Sequence, residues 1–281
     1  MSGSDTILEV DALSRDFGRM TAVKSVSLSL QRQGALGIVG ESGSGKTTLA
    51  NMIVGRLRPT AGTITVGGID RSAPAKSARE SRVRARQIQM VFQDPYSSLD
   101  PRHSAEQVID QVLRLHHHAL GRAGRAARRT ELCDLVGLDR RQRSARPSEL
   151  SGGQRQRIVI ARALAAAPEV VILDEAVAAL DVSIQAQILN LLTNIRTELG
   201  MTFVLISHDL AVVRHLTEDV IVMRRGEVVE QGRTAEVLEN PQHPYTQGLR
   251  ESIPRPGWQP VLRTGLAEPT SGVRTVPERT R

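Results

Sequence analysis

At 281 residues with 40% hydrophobic content, the chain is long enough to bury a core and carry an inserted or appended piece, which excludes disorder throughout. Its net charge of +7 comes almost entirely from arginine, lysine being confined to Lys24, Lys46 and Lys76; the balance permits nucleic acid or an anionic membrane surface as partner and demands neither. The single cysteine, Cys133, excludes an intrachain disulfide, argues against a cysteine-ligated metal centre and reads as a small core residue.

The start, MSGSDTILEV, has no basic segment leading into an apolar core. No window reaches the roughly 18 uninterrupted apolar residues of a membrane span, so the expected location is cytoplasmic. Short β-branched runs then alternate with longer helical patterns, as in a sheet covered by helices. ILEV is the first strand, and SVSLSL alternates as a half-exposed antiparallel strand should. The apolar strand ALGIVG runs into GESGSGKTT, Gly40 to Thr48, and the helix TTLANMIVGRL follows. This is G-x-x-x-x-G-K-[ST] in the strand-turn-helix setting that gives it meaning. Gly43 and Gly45 allow backbone shapes that aim successive N–H groups of Gly40, Glu41, Ser42, Gly43, Ser44, Gly45, Lys46, Thr47 and Thr48 at anionic oxygens. Lys46 is expected to reach the β- and γ-phosphates of ATP, and Thr47 to give a hydroxyl to Mg²⁺.

TITVGG and IQMVFQ are further strands, after which strand signals vanish from Asp94 to Pro168 and helical spacing takes over: a mostly helical insertion. The run His116 to His118 cannot converge on one ion, since consecutive helical residues point about a hundred degrees apart; solvent exposure is expected. Gly121 to Pro147 carries much of the excess positive charge, interspersed with Ala, Leu and Val and without an aromatic to stack on bases, so it reads as a solvated helical face. In PSELSGGQRQRIVIARAL, Ser151 can cap a helix running to Leu164, and Gly152 and Gly153 let the backbone come close. That makes a second anion-binding helix start, and two such turns imply two surfaces closing on one anion.

EVVILDE is a buried strand ending in two acids. Asp174 suits a Mg²⁺ shell, and Glu175, diverging from it, suits a general base for water. From Asp181, Ile184, Ile188, Leu191, Ile195 and Leu199 form one face of a helix that Gly200 can close. TFVLIS is nearly continuously apolar, like VVILD, the mark of a parallel strand buried on both faces. DVIVMRRG and EVVEQG form a hairpin around Gly226. After Pro254 the chain is rich in Pro, Arg, Thr and Gly with Trp258 its lone aromatic, a tail expected to be flexible.

LSGGQ, Leu150 to Gln154, together with GESGSGKT and VVILDE in this order, resembles the motif set of ATP-binding cassette (ABC) ATPases, over about Ile7 to Glu239. The resemblance implies an α/β P-loop NTPase (RecA-like) core with an antiparallel β subdomain and a helical subdomain inserted at about 94–168. Residues 1–240 would form the nucleotide-binding domain and 241–281 a partly flexible extension. It further implies that Phe17 stacks on adenine, that Gln93 joins Mg²⁺ and water to the membrane partner, and that His208 contacts the γ-phosphate. Two such domains associate head to tail, so Ser151, Gly152, Gly153 and Gln154 would act on ATP held by a partner, homo- or heterodimeric. Where the family commonly reads DEPTSALD this chain has DEAVAALD, Asp174 to Asp181, a departure in the loop that passes information between sites.

QDPYSSLDPR and NPQHPYTQGLRESIPRP resemble the ATPase subunits of peptide and nickel importers, although on physics alone the second is a Pro-rich C-terminal clamp without ligand. The expected partners are transmembrane permease subunits and, indirectly, an extracytoplasmic substrate-binding protein, with no nucleic acid. The expected place is the cytoplasmic face of the inner membrane. A soluble ABC-type ATPase acting on nucleic acid or ribosomes, suggested by the basic charge, and a regulatory subunit that scarcely turns over, hinted at by the AVAA loop, are the alternatives.

Overall fold

The computed structural model describes residues 5–251. The Pro- and Arg-rich tail after Pro254, with Trp258, lies outside the described residues, as does the expectation that it is flexible. Strands β1 (Thr6–Phe17), β2 (Met20–Gln31) and β3 (Ala35–Val39) lead into α1 (Lys46–Val54). Next come β4 (Ala61–Val66), β5 (Ile69–Asp70), α2 (Ala78–Gln87) and β6 (Ile88–Val91). Helices α3 (Ala105–His116), α4 (Arg122–Leu135), α5 (Arg140–Ser144) and α6 (Gly152–Leu164) follow, with no strand among them. The chain continues through β7 (Val170–Asp174), α7 (Val182–Leu199), β8 (Thr202–Ser207) and α8 (Leu210–Leu216). Strands β9 (Asp219–Arg224) and β10 (Glu227–Arg233) precede α9 (Thr234–Glu239) and α10 (Pro244–Glu251).

Two sheets result. An antiparallel one has the order β2-β1-β4-β5, and the second runs β10-β9-β3-β8-β7-β6, parallel except for the β9/β10 hairpin. Alternation along the parallel strands splits the core in two. Val170 and Ile172 of β7, with Val204 and Ile206 of β8, join α1 and the antiparallel sheet; Val171, Leu173, Phe203 and Leu205 join the helical layer. Burial on both faces is why these strands read as unbroken apolar runs. The fold is therefore the α/β P-loop core, antiparallel sheet and inserted helices that the sequence implies.

Several particulars differ from expectation. Strands β1 and β2 run far beyond ILEV and SVSLSL, because bulges at Ala12 (φ +45°) and Ser25 (φ +48°) interrupt their alternation. Helix α1 stops at Val54, where Gly55 turns left-handed, so Arg56 and Leu57 lie outside it. On α7, Ile188, Leu191 and Ile195 are buried, but Leu199 is 41% exposed where the last turn, closed by Gly200, emerges from the core. His116 and His117 are half-buried rather than solvent-exposed, His117 Nε2 lying 3.0 Å from the carbonyl oxygen of Ala165; only His118 is exposed. Burial lowers the pKa of both His116 and His117, with neighbouring positive groups acting the same way.

Cys133 is buried, and burial pushes its thiol up to about 11, as befits an inert core residue. On the basic helical layer, Arg128 pairs with Glu131, Arg143 with Asp134, and Arg125 and Arg129 approach Asp110. Much of that charge is thus spent within the layer.

Candidate active site

The parallel strand β3 ends at Val39, and the chain turns through Gly40 to Gly45 before α1 begins at Lys46. Gly43 and Gly45 adopt φ of +78° and +104°, and a Cβ on Gly45 would lie 2.5 Å from the carbonyl oxygen of Ala22. Glycine is therefore required at 45 for both conformation and space. No side chain caps the start of α1, and Ser44 Oγ is buried without a hydrogen-bond partner. Lys46 is 5% exposed; its Nζ donates to the carbonyl oxygens of Gly40 (2.7 Å) and Glu41 (2.8 Å). Burial lowers its pKa, opposed by the charges of Glu175, Asp174 and Glu41.

Asp174, at the end of β7, is 7% exposed and accepts a hydrogen bond from Thr47 Oγ1 at 3.4 Å. Burial raises its pKa, and the charge of Glu175 adds to this, while Thr47 and Lys46 pull it down. Buried carboxylate density of this kind is relieved by a cation. Glu175 sits at φ +47°, a left-handed conformation costing about 1–3 kcal/mol, and its N–H donates to the carbonyl oxygen of Ile206 at 2.9 Å. The kink turns Glu175 into the cleft, where Asp174 stays against Thr47. His208 Nδ1 lies 3.3 Å from Glu175 Oε1.

These groups meet at a cleft of about 710 Å³ lined by Phe17, Ser42, Gly43, Gly45, Lys46, Thr47, Thr48, Gln93 and Glu175. Phe17 is 44% exposed at the cleft, and the Arg15 guanidinium lies over its ring at 4.7 Å from the centroid. Sequence reasoning missed Met20, Ala22, Lys24 and Arg225 on the cleft wall. Only the hairpin around Gly226 could have signalled Arg225, and nothing in its residue type marks it.

The second glycine turn is built as its sequence foretells. Ser151 Oγ accepts from the Gln154 N–H (3.3 Å) and Gln154 Oε1 accepts from the Ser151 N–H (2.9 Å), a reciprocal cap at the head of α6. The fold does not bring Ser151, Gly152, Gly153 or Gln154 to the cleft of their own chain; Ser151 and Gly152 are exposed elsewhere. Gly153 is buried for a packing reason, since a Cβ there would lie 2.6 Å from Ile184 Cγ2 on α7. Gly153→Ala is expected to destabilise the chain by about 1–3 kcal/mol through overpacking against this stiff β-branched side chain. Urea unfolding measures it, and adding Ile184→Ala should recover part of the loss. In the DEAVAALD loop, Ala176 (3% exposed) and Val177 (4%) are buried in the helical-layer core, a placement their apolar character suits.

The strand-turn-helix anion cradle with its buried lysine and strand-end acids defines a P-loop nucleotide-binding ATPase. A family model described as ABC transporter matches residues 23–178, and one described as oligopeptide/dipeptide transporter, C-terminal region, matches residues 229–272. The chain belongs to the ABC transporter family and is an ATP-binding subunit with ATPase activity. A putative peptide import ATP-binding protein of Brucella abortus (strain 2308) is 46% identical over 263 residues, covering 90% of this chain and 78% of that one. The oligopeptide transport ATP-binding protein OppF of Bacillus subtilis (strain 168) is 40% identical over 257 residues, covering 90% and 84%.

Among solved structures, a dimeric ATP-binding cassette in a post-hydrolysis state with ADP and Pi aligns with a TM-score of 0.71 and 30% identity, over 81% of this chain and 99% of that one. CbiO1 of Clostridium perfringens, part of an ABC transporter complex, aligns at 0.75 and 29%, over 84% and 92%. Such subunits work with membrane permease components. No helix among the described residues is long and apolar enough to cross a membrane.

Proposed function

We propose that this chain hydrolyses ATP on the cytoplasmic face of the inner membrane to energise a permease importing oligo- or dipeptides, or nickel, fed by an extracytoplasmic substrate-binding protein. Residues 1–240 act as the nucleotide-binding domain, 94–168 as its helical insertion and 241–281 as an extension. The observation that carries this reading is the separation of two anion-binding helix starts, one lining the cleft and one facing solvent. The names of the relatives support the peptide substrate.

Lys46, with the amides of Gly40 to Thr48, holds the phosphates, and adenine stacks on Phe17 at the cleft wall. Thr47, Asp174 and Gln93 suit Mg²⁺: a hydroxyl, a carboxylate and an amide oxygen, leaving positions for phosphate and water. When bound, the ion neutralises phosphate charge. Glu175 accepts the proton of the attacking water, and His208, held beside it, contacts the γ-phosphate. Ser151, Gly152, Gly153 and Gln154 close on the ATP of a second copy or a similar subunit, so that the nucleotide joins the two.

Ser151→Asp tests this arrangement. Aspartate preserves the helix cap, Asp and Ser being comparable there, but sets a negative charge against the partner's triphosphate. ATP binding to the isolated chain should persist, whereas ATP-driven dimerisation, read by light scattering, and turnover should vanish. Normal dimerisation and turnover in this variant would refute the head-to-tail reading.

A further inference from the structure

The segment that reads as a Pro-rich clamp reaches the phosphate-binding turn. Glu230 on β10 fastens it, Oε1 accepting from the Gln242 N–H (2.7 Å) and Oε2 from the His243 N–H (3.1 Å). The Tyr245 N–H donates to His243 Nδ1 (3.1 Å), and the Gln247 side-chain amide donates to the carbonyl oxygen of Pro241 (3.0 Å). These bonds deliver α10 in fixed register to the end of β9, where the Arg224 guanidinium lies 4.9 Å from the centroid of the Tyr245 ring.

The phenolic oxygen of Tyr245 there accepts the N–H of Glu41 at 2.9 Å. That N–H belongs to the peptide unit whose carbonyl, Gly40 O, accepts from Lys46 Nζ at 2.7 Å. In a trans peptide the N–H and C=O point in opposite directions, so one rigid plane is held between a phenol and an ammonium. Burial holds the phenol above its usual pKa, which keeps it neutral at physiological pH.

We propose that Tyr245 is a positioning residue for nucleotide binding: by fixing the Gly40–Glu41 peptide it sets the perch from which Lys46 turns to the phosphates, and it makes the C-terminal extension part of the nucleotide site. The proposal rests on the reading of Lys46 as a phosphate ligand. Coupling is reciprocal, so nucleotide must act back on α10.

Tyr245→Phe in the full-length chain keeps the ring over Arg224 and removes only the acceptor. Equilibrium affinity for magnesium-ATP should fall about three- to tenfold, at most the worth of one net hydrogen bond, with KM rising in step and kcat within about twofold. In the unaltered chain, amide hydrogen exchange over residues 244–251 should slow when ATP is added; in the variant that response should disappear. Unchanged affinity in Tyr245→Phe, or exchange over 244–251 that ignores ATP in the unaltered chain, overturns the proposal; the exchange result decides alone if the variant does not fold. A Lys46→Ala chain that fails to bind ATP beside a Tyr245→Phe chain that binds normally defeats only the role of Tyr245, whereas normal binding in Lys46→Ala defeats the phosphate-loop reading itself.

Discussion

Lys46→Ala is expected to lower ATP affinity by about a hundredfold or more, measured by equilibrium binding of a fluorescent ATP analogue, with circular dichroism unchanged. Charge-assisted hydrogen bonds contribute about 1.5–3 kcal/mol each, so losing two to the phosphates accounts for a change of this size. Lys46 is 5% exposed, and its ammonium rests on the carbonyls of Gly40 and Glu41 at the wall of the cleft. Lys46→Arg is expected not to restore affinity, because a planar fork does not match the two carbonyls on which the compact ammonium rests. If the subunits are identical, mixing Lys46→Ala with Ser151→Asp should restore turnover that neither has alone. One of the two composite sites then combines the intact phosphate turn of the Ser151→Asp chain with the intact cap of the Lys46→Ala chain. No rescue, with heterodimers demonstrably formed, would count against shared sites.

The parts of this molecule legible in its sequence are those where a single local constraint dominates. The phosphate turn was legible because glycine, lysine and a hydroxyl follow an apolar strand, and the cap at Ser151 because its partner Gln154 lies three residues on. Strands β7 and β8 showed as unbroken apolar runs because both faces are covered. Helix α2 escaped notice because it buries no residue and so has no apolar periodicity; only its Ser77 cap, accepting from the Glu80 N–H, marks its start. Tyr245 above Glu41 was equally hidden, since it acts on a residue brought close by the tertiary fold rather than by spacing along the chain. The half-burial of His117 belongs to the same class: its ring meets Ala165, on the far side of the helical insertion.

Glu175→Gln should leave ATP binding intact and cut turnover by about 10²- to 10⁴-fold, the range for removing a general base. Glutamine copies the shape of glutamate and can be held in the same kinked backbone at φ +47°, so the strained turn that aims residue 175 into the cleft is kept. What disappears is the negative charge that raises the pKa of Asp174. Without that charge the repulsion that a triphosphate meets in the cleft is reduced, so nucleotide is held as well as or better than before. Binding without turnover should trap the ATP-joined dimer, visible by light scattering as a stable species that the unaltered chain shows only transiently. His208, 3.3 Å from Glu175, makes the discrimination sharper. If the histidine rather than the glutamate took the proton, His208→Ala would lose turnover while Glu175→Gln released phosphate at the ordinary rate, and the assignment of Glu175 would fail.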